Sequence, residues 1–308
     1  MEGKNETHPG FTLVGFSDLP ELRIPLFSIF MTAYIICIIG NLSIFMLIIS
    51  QPQLHTPMYF LMGNLAFVDI FFTSITIPRA LYGLISGDTY ISFHGCILQL
   101  FFFLVVGNMD SFLLALMAFD RYAAVCHPLR YLTIMSPKTC IYLVASSWAI
   151  LILHSILYTI VNSTQAHCKW VLHHFFCDCP VVLSLSCTVA PDLQIGMLFE
   201  SAIIIFGPVF FILVSYILII RAVLKLHSSK GNWQTFSTCS SHLTMVIIFY
   251  STILFMYSRP NTVYSPAYDR MVSIVICLFI PMLNPFIYSL RNEQVKSAVK
   301  KVLLQASS

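Results

Sequence analysis

The stretch ILQLFFFLVVGNMDSFLLALMAFDRY, residues 97–122, decides the fold class. As a helix rising 1.5 Å per residue it reaches about 39 Å, more than the roughly 30 Å hydrocarbon core of a bilayer. Its interior is apolar apart from a few groups, with Asp110 near the middle and Asp120 and Arg121 at the end. That pattern reads as a membrane-spanning helix.

Runs of the same kind lie at about 26–50, 57–84, 139–161, 195–221, 236–258 and 271–290, which makes seven spans. The composition agrees: 58% of the 308 residues are hydrophobic and 9% charged, against roughly 25% charged in soluble domains. The expected fold is an all-α, seven-helix membrane bundle, with residues 1–25 outside, 26–290 spanning, and 291–308 forming a cytoplasmic tail with a short amphipathic helix. Glu2, Lys4, Glu6 and Asp18 interrupt residues 1–20, so the first helix is expected to direct its own insertion.

Basic residues set the orientation. With the N-terminus outside, Arg121, Arg130, Lys138, Arg221, Lys225, Lys230, Arg291, Lys296, Lys300 and Lys301 face the cytoplasm, ten of the sixteen Lys and Arg. The net charge of +3 is thus a matter of membrane orientation. No basic, aromatic-interleaved patch supports a nucleic-acid partner. Inner connections are short, and no repeat of half-chain length supports an inverted-repeat transporter.

The outer loop, about 162–194, contains Cys168, Cys177, Cys179 and Cys187, and Cys96 stands where the chain enters the third span. An oxidising face makes disulfides the expected staples for so long a loop. Five cysteines leave one thiol over, and spacing alone leaves the pairing open. Cys37, Cys126, Cys140, Cys239 and Cys277 are expected to be buried thiols. The NET at Asn5 is an N-glycosylation acceptor on the outer side.

Ionisable groups inside spans are costly and so point to function: Asp69, Asp110, Asp120, Arg121 and Glu200. Helix rise puts Asp69 and Asp110 at one depth, with Asn41 and Asn284 near the same layer, where a shared water or cation cluster would satisfy all four. Arg121 can reach water from the inner end of its span. In the seventh span Pro285 has no amide hydrogen, so it frees the carbonyl of Pro281 and predicts a kink there. Pro208 does the same in the fifth span.

Several segments together are specific: LHTPMYFLMGNLAFVD at 54–69, MAFDRYAAVCHPLRY at 117–131, SY at 215–216, FSTCSSHLT at 236–244 and PMLNPFIYSLRN at 281–292. Through them the chain resembles the odorant receptors of the rhodopsin-like (class A) G-protein-coupled receptors, of the tetrapod-type class II branch, over nearly its whole length. The resemblance implies a plasma-membrane receptor of olfactory cilia that binds a small volatile odorant in the outer half of the bundle and activates an olfactory stimulatory G protein, raising cyclic AMP. It implies no enzyme activity and no cofactor. Besides the odorant and the G protein, membrane lipid is the expected partner.

Under the same resemblance Asp120, Arg121 and Tyr122 form the inner switch. Tyr216 and Tyr288 swing toward Arg121, Ser240 and His242 belong to the moving inner end of the sixth helix, and Asn284 and Pro285 mark the hinge. Cys96 would pair with Cys177 and Cys168 with Cys187, leaving Cys179 free. The ligand would meet Phe103, Leu104, Gly107, Asn108 and Ser111, which the helical period gathers on one side of the third span, together with Glu200, Ile204, Tyr250 and Tyr257. Gly107 is expected to leave room for the odorant. Four features depart from the family pattern: Gln234 and Thr235 replace a Lys-Ala pair, Gly63 and Ala66 replace serines, Ser251 replaces a glycine, and Thr188 and Val189 follow Cys187.

Other classes find little support. The run HCKWVLHHFFCDC, 167–179, mixes His and Cys, but its spacing matches no closed zinc set. The seventh span has no lysine for a retinal Schiff base, and no nucleophile, base and orienter come together for catalysis. A transporter or ion channel using the intramembrane carboxylates is the alternative from another class.

Overall fold

A computed structural model describes residues 10–16, 20–187, 190–225, 229–257, 266–290 and 293–306. Seven long helices form the bundle: α1 (Arg23–Ser50), α2 (Pro57–Ser86), α3 (Phe93–Cys126), α4 (Pro137–Thr164), α5 (Pro191–Lys225), α6 (Ser229–Tyr257) and α7. The last is assembled from Pro266–Ile274, a π-helical turn Val275–Phe279, and Ile280–Leu290. Six of the seven are long and apolar enough to cross a membrane, and α6 contributes a shorter apolar stretch, His242–Phe255. Its inner portion starts with SKGNWQTFSTCSS, too polar to lie in hydrocarbon.

Helix limits follow local chemistry. Pro57 and Pro137 open α2 and α4 at positions whose amides have no partner in any helix, and the Ser92 and Ser136 hydroxyls accept the amides of Gly95 and Thr139. Gly87, at φ 74°, ends α2 in the left-handed conformation that glycine adopts without steric cost. The bundle has an inside and a lipid side. The apolar windows of α2 and α3 are 61% and 56% buried, whereas that of α5 is 22% buried and turns Phe199, Phe206 and Phe210 outward. In lipid such exposure carries no hydrophobic penalty.

Besides the position at Pro285 that the sequence singles out, α7 departs from regular α-helical geometry ahead of Pro281. Pro281 cannot give an amide hydrogen to Cys277, and its ring crowds that carbonyl. The turn just before it, Val275–Phe279, therefore widens to a π-helix, with the amide of Ile280 bonding Val275 five residues back. Pro285 does free the carbonyl of Pro281, and Asn41 Nδ2 of α1 takes it at 3.0 Å. Pro285 itself packs against Gly40, where a Cβ would stand 3.1 Å from its ring.

On the outer face β1 (Gly10–Leu13) runs between β2 (Tyr90–Ser92), antiparallel with Phe11 opposite Ile91, and β3 (Val171–Leu172), parallel with Leu13 opposite Leu172. Phe11 is fully buried against Phe93, His167 and Trp170. Disulfides Cys96–Cys177 and Cys168–Cys187, with Cα–Cα distances of 5.5 and 4.9 Å, tie the outer loop to α3 and to itself. After α7 comes α8 (Glu293–Ala306), which buries Val295 and Ala298 and exposes Lys296, Lys300 and Lys301.

Candidate functional site

At 100° per residue the five α3 candidates span an arc of about 140°, and the bundle divides them. Phe103 and Gly107 turn to α2. Phe72 stacks on Phe103 with centroids 5.4 Å apart, and its ring stands 3.0 Å from where a Cβ on Gly107 would be. The space beside Gly107 is thus filled by Phe72, which corrects the expectation that it is left for an odorant. Leu104, past the middle of the arc, packs with the cluster of Leu100, Tyr158, Cys179 and Met197. Asn108 Nδ2 donates to its own helix at Leu104 O, 2.8 Å. Ser111, mid-arc, meets α6: its hydroxyl and that of Tyr250 are 2.5 Å apart.

Ile204 packs against the main core from α5. Glu200 turns away, toward α4, where its Oε1 lies 2.9 Å from His154 Nδ1. Next to this pair the Tyr158 hydroxyl donates to Met197 O and meets the Ser201 hydroxyl. The side chain of Tyr257, and Asn5 altogether, lie outside the described residues.

Deeper in the bundle Asn284 Nδ2 donates to Asp69 Oδ2 at 2.7 Å. Asn41 joins the backbone of α7 rather than the acids. Asp69 Oδ1, Asp110 Oδ1, Asn284 Oδ1 and the Tyr288 hydroxyl are buried with no hydrogen-bond partner among the described residues. Buried oxygens of this kind are costly unless something polar is shared among them.

At the inner end the Asp120 carboxylate is fully buried and doubly held. Arg121 donates to its Oδ2 from Nε at 3.1 Å and Nη2 at 2.8 Å, and the Tyr131 hydroxyl donates to Oδ1 at 2.6 Å. The charges at the end of α3 are tolerated because they neutralise one another while Arg121 keeps a route to water, its side chain being 15% exposed. Above them the Tyr216 hydroxyl donates to His242 Nδ1 at 2.7 Å, and His242 Nε2 donates to Leu114 O at 2.9 Å. One chain of hydrogen bonds therefore fastens α5 to α6 and α6 to α3. Tyr122 turns outward to His127, 3.1 Å away.

A family model described as olfactory receptor matches residues 30–306. The chain belongs to the olfactory receptor family. It is 43% identical to olfactory receptor 1L6 of Homo sapiens over 305 residues, covering 98% of this chain and 88% of that protein. It is 42% identical to olfactory receptor 1f45 of Rattus norvegicus over 294 residues, covering 95% and 94%, and 42% identical to olfactory receptor-like protein OLF1 of Canis lupus familiaris over 305 residues, covering 98% of each. This olfactory receptor is accordingly a multi-pass plasma-membrane protein and not an enzyme.

Two features of the receptor's site have only faint sequence signals. His154 lies alone in the apolar run of α4, and a histidine there carries a desolvation cost much as an acid does, which marks it as a partner for Glu200. The second is the lid. His174 is buried with Nε2 donating to Ser273 Oγ of α7 at 3.1 Å, and Phe176 lies 4.7 Å from Phe103, centroid to centroid. Cys177 N donates to Gln99 Oε1 of α3 at 3.0 Å. Nothing in the spacing of HHFFCDC says which of its aromatic rings turns inward.

A buried histidine and a buried carboxyl of the lid are shifted in opposite ways. Burial pushes the His174 imidazole from an ordinary 6.5 down to about 3, helped by the Arg270 charge. Burial raises the Asp178 carboxyl from 3.8 to about 6, helped by Asp269 and opposed by the hydrogen bond from Cys179 N. As pH falls from 6 to 4 an undocked lid takes up a proton on His174, which weakens docking, while the docked lid takes up one on Asp178, which strengthens it. Each slope is about 1.4 kcal/mol per pH unit. The contributions of His174 and Asp178 to thermal stability in detergent are therefore expected to oppose each other between pH 6 and 4. An Asp178→Asn variant should lose stability with acidification over that range, and a His174→Phe variant should gain it.

Proposed function

We propose that this receptor binds a small, mostly apolar volatile odorant in the outer half of the bundle, against Leu104, Asn108, Ser111, Ile204 and Tyr250 beneath Phe176, and passes the event to an olfactory stimulatory G protein that raises cyclic AMP. The observation that carries the reading is the hydrogen bond between Ser111 and Tyr250. It is a polar contact between α3 and α6 in an otherwise apolar region, and the same two helices are joined again further in through His242 and Leu114. A guest that competes for the Tyr250 hydroxyl, or wedges between the helices, acts on the upper joint and biases the lower one. Few polar anchors and an apolar wall suit a small volatile, and its few atoms keep affinity modest.

The polar layer of Asp69, Asp110, Asn284 and Tyr288 fits a water or cation cluster that loads the centre of the bundle, and the π-turn of α7 gives it a place to yield. Glu200, paired with His154, serves in this reading as a brace between α4 and α5.

A double-mutant cycle in a cyclic AMP reporter cell tests the upper joint. Removing one neutral hydrogen bond, worth about 0.5–1.5 kcal/mol, should shift odorant potency by up to about tenfold in Tyr250→Phe and in Ser111→Ala. The double variant should shift it no further. Independent, additive shifts would mean that the two hydroxyls do not act as one element.

A further inference from the structure

A cavity of about 140 Å³ opens on the outer face between the N-terminal segment, α1 and the end of α2, and neither Ser111 nor Tyr250 lines it. Its apolar wall is formed by Phe16, Phe175, Ala80 and Leu84, and its polar wall by Arg23 and Arg79. Both arginines serve the end of α2. Arg23 donates from Nε and Nη2 to Leu84 O at 3.0 and 2.9 Å, and Arg79 donates from Nη1 to Asp88 O at 3.1 Å and from Nη2 to Tyr90 O. A guanidinium carries five N–H donors, so these bonds leave donors on each for something else.

The lining keeps the two cations accessible. Gly83 and Gly87, one helical turn apart, present no side chain there: a Cβ at Gly87 would stand 3.4 Å from Arg23 Nη2, and one at Gly83 3.7 Å from Arg79 Nη1. Asp88 is the acid among the described lining residues. Its Oδ2 lies 3.9 Å from Arg79 Nη2 with 44% of the side chain exposed, and its Oδ1 accepts from Tyr90 N. Among the described residues two guanidiniums face one solvated carboxylate, so their balance on this wall is positive.

We propose that the outer cavity is a second ligand site, for a small carboxylate whose apolar body lies against Phe16, Phe175 and Ala80 and whose oxygens are taken by Arg23 and Arg79. Size and chemistry agree on that class. A dry cavity of about 150 Å³ accommodates benzene, and a planar carboxylate matches the fork of a guanidinium. The site also touches the odorant side. Phe175 stacks on Phe16 at 5.6 Å and meets Phe176 at 5.0 Å, and Phe176 meets Phe103 at 4.7 Å. An occupant therefore bears on the lid through two ring contacts.

Benzoate binding to the purified full-length receptor in phosphatidylcholine nanodiscs, followed by ligand-observed NMR without odorant or G protein, tests the site separately from the signalling proposal. Binding should be saturable and should weaken roughly tenfold or more in Arg79→Gln, the loss of one charge-assisted contact. It should vanish in Ala80→Leu, which fills the space and leaves both arginines in place should Arg79→Gln fold poorly. Neutral benzamide should not compete.

Full benzoate binding by Ala80→Leu, or equal competition by benzamide, would overturn the proposal. So would binding that appears only in Asp18→Asn, because the chain's own carboxylate would then hold the arginines.

Discussion

A receptor carrying Arg121→Ala is expected to give no odorant-driven cyclic AMP, and the further substitution Asp120→Asn is expected to restore its amount at the cell surface but not its signal. The separation follows from how the pair is buried. Asp120 has no exposure of its own and relies on Arg121 and Tyr131. Removing the arginine leaves a buried carboxylate with one hydroxyl for company, and breaking such a pair costs about 3–5 kcal/mol. Folding and signalling would therefore fall together in the single variant, and neutralising the acid removes the first fault alone.

Asp120→Asn by itself should act in the opposite direction. Charge-assisted hydrogen bonds of about 1.5–3 kcal/mol hold Arg121 at rest, so weakening them should raise the ligand-free signal by about tenfold to a hundredfold. Reporter assays normalised to surface labelling read all three variants. A silent Asp120→Asn receptor at normal surface level would show that the Asp120–Arg121 pair is not what restrains the resting state, and would leave the Tyr216–His242–Leu114 chain as the restraint.

The sequence made the spans legible because membrane length and hydropathy are properties of a run, insensitive to any one neighbour. The freed carbonyl of Pro281 was legible for the same reason, as a local fact about Pro285. What took it up was not, because Asn41 lies 240 residues away. The π-turn Val275–Phe279 was hidden for a related reason: a helix can absorb a proline by bending or by widening, and packing chooses between them. Gly107 is the clearest failure. A glycine on a candidate ligand face reads as space, but whether space is filled depends on a ring from another helix, here Phe72. The partner of Glu200 was hidden similarly, His154 lying on a neighbouring helix with no spacing rule to connect them. The three-stranded sheet joins residues 10–13, 90–92 and 171–172, and such short strands carry almost no periodicity from which to read it.

The disulfide from the outer loop to α3 should matter far more than the one within the loop. Cys96–Cys177 spans a sequence separation of 81 and Cys168–Cys187 one of 19. Chain-entropy reasoning assigns them about 4.5 and 3.2 kcal/mol, as upper values, because α3 and α4 stay inserted when the loop comes free. The larger difference is positional. Phe176, which covers Phe103, is the residue directly before Cys177, whereas Cys168 and Cys187 close the wider loop that contains both Phe176 and the short helix Cys179–Leu183 and hold neither directly. A Cys96→Ser/Cys177→Ser receptor, in which no odd thiol is left to mispair with the buried Cys179, is thus expected to lose odorant response by well over tenfold at matched surface level, given a lid released at about 2–5 kcal/mol. Cys168→Ser/Cys187→Ser should lose only a few-fold on the same scale. Equal losses would mean that the lid is held by the fold of the loop and by His174 on Ser273, and that the tether to α3 adds nothing to the odorant side.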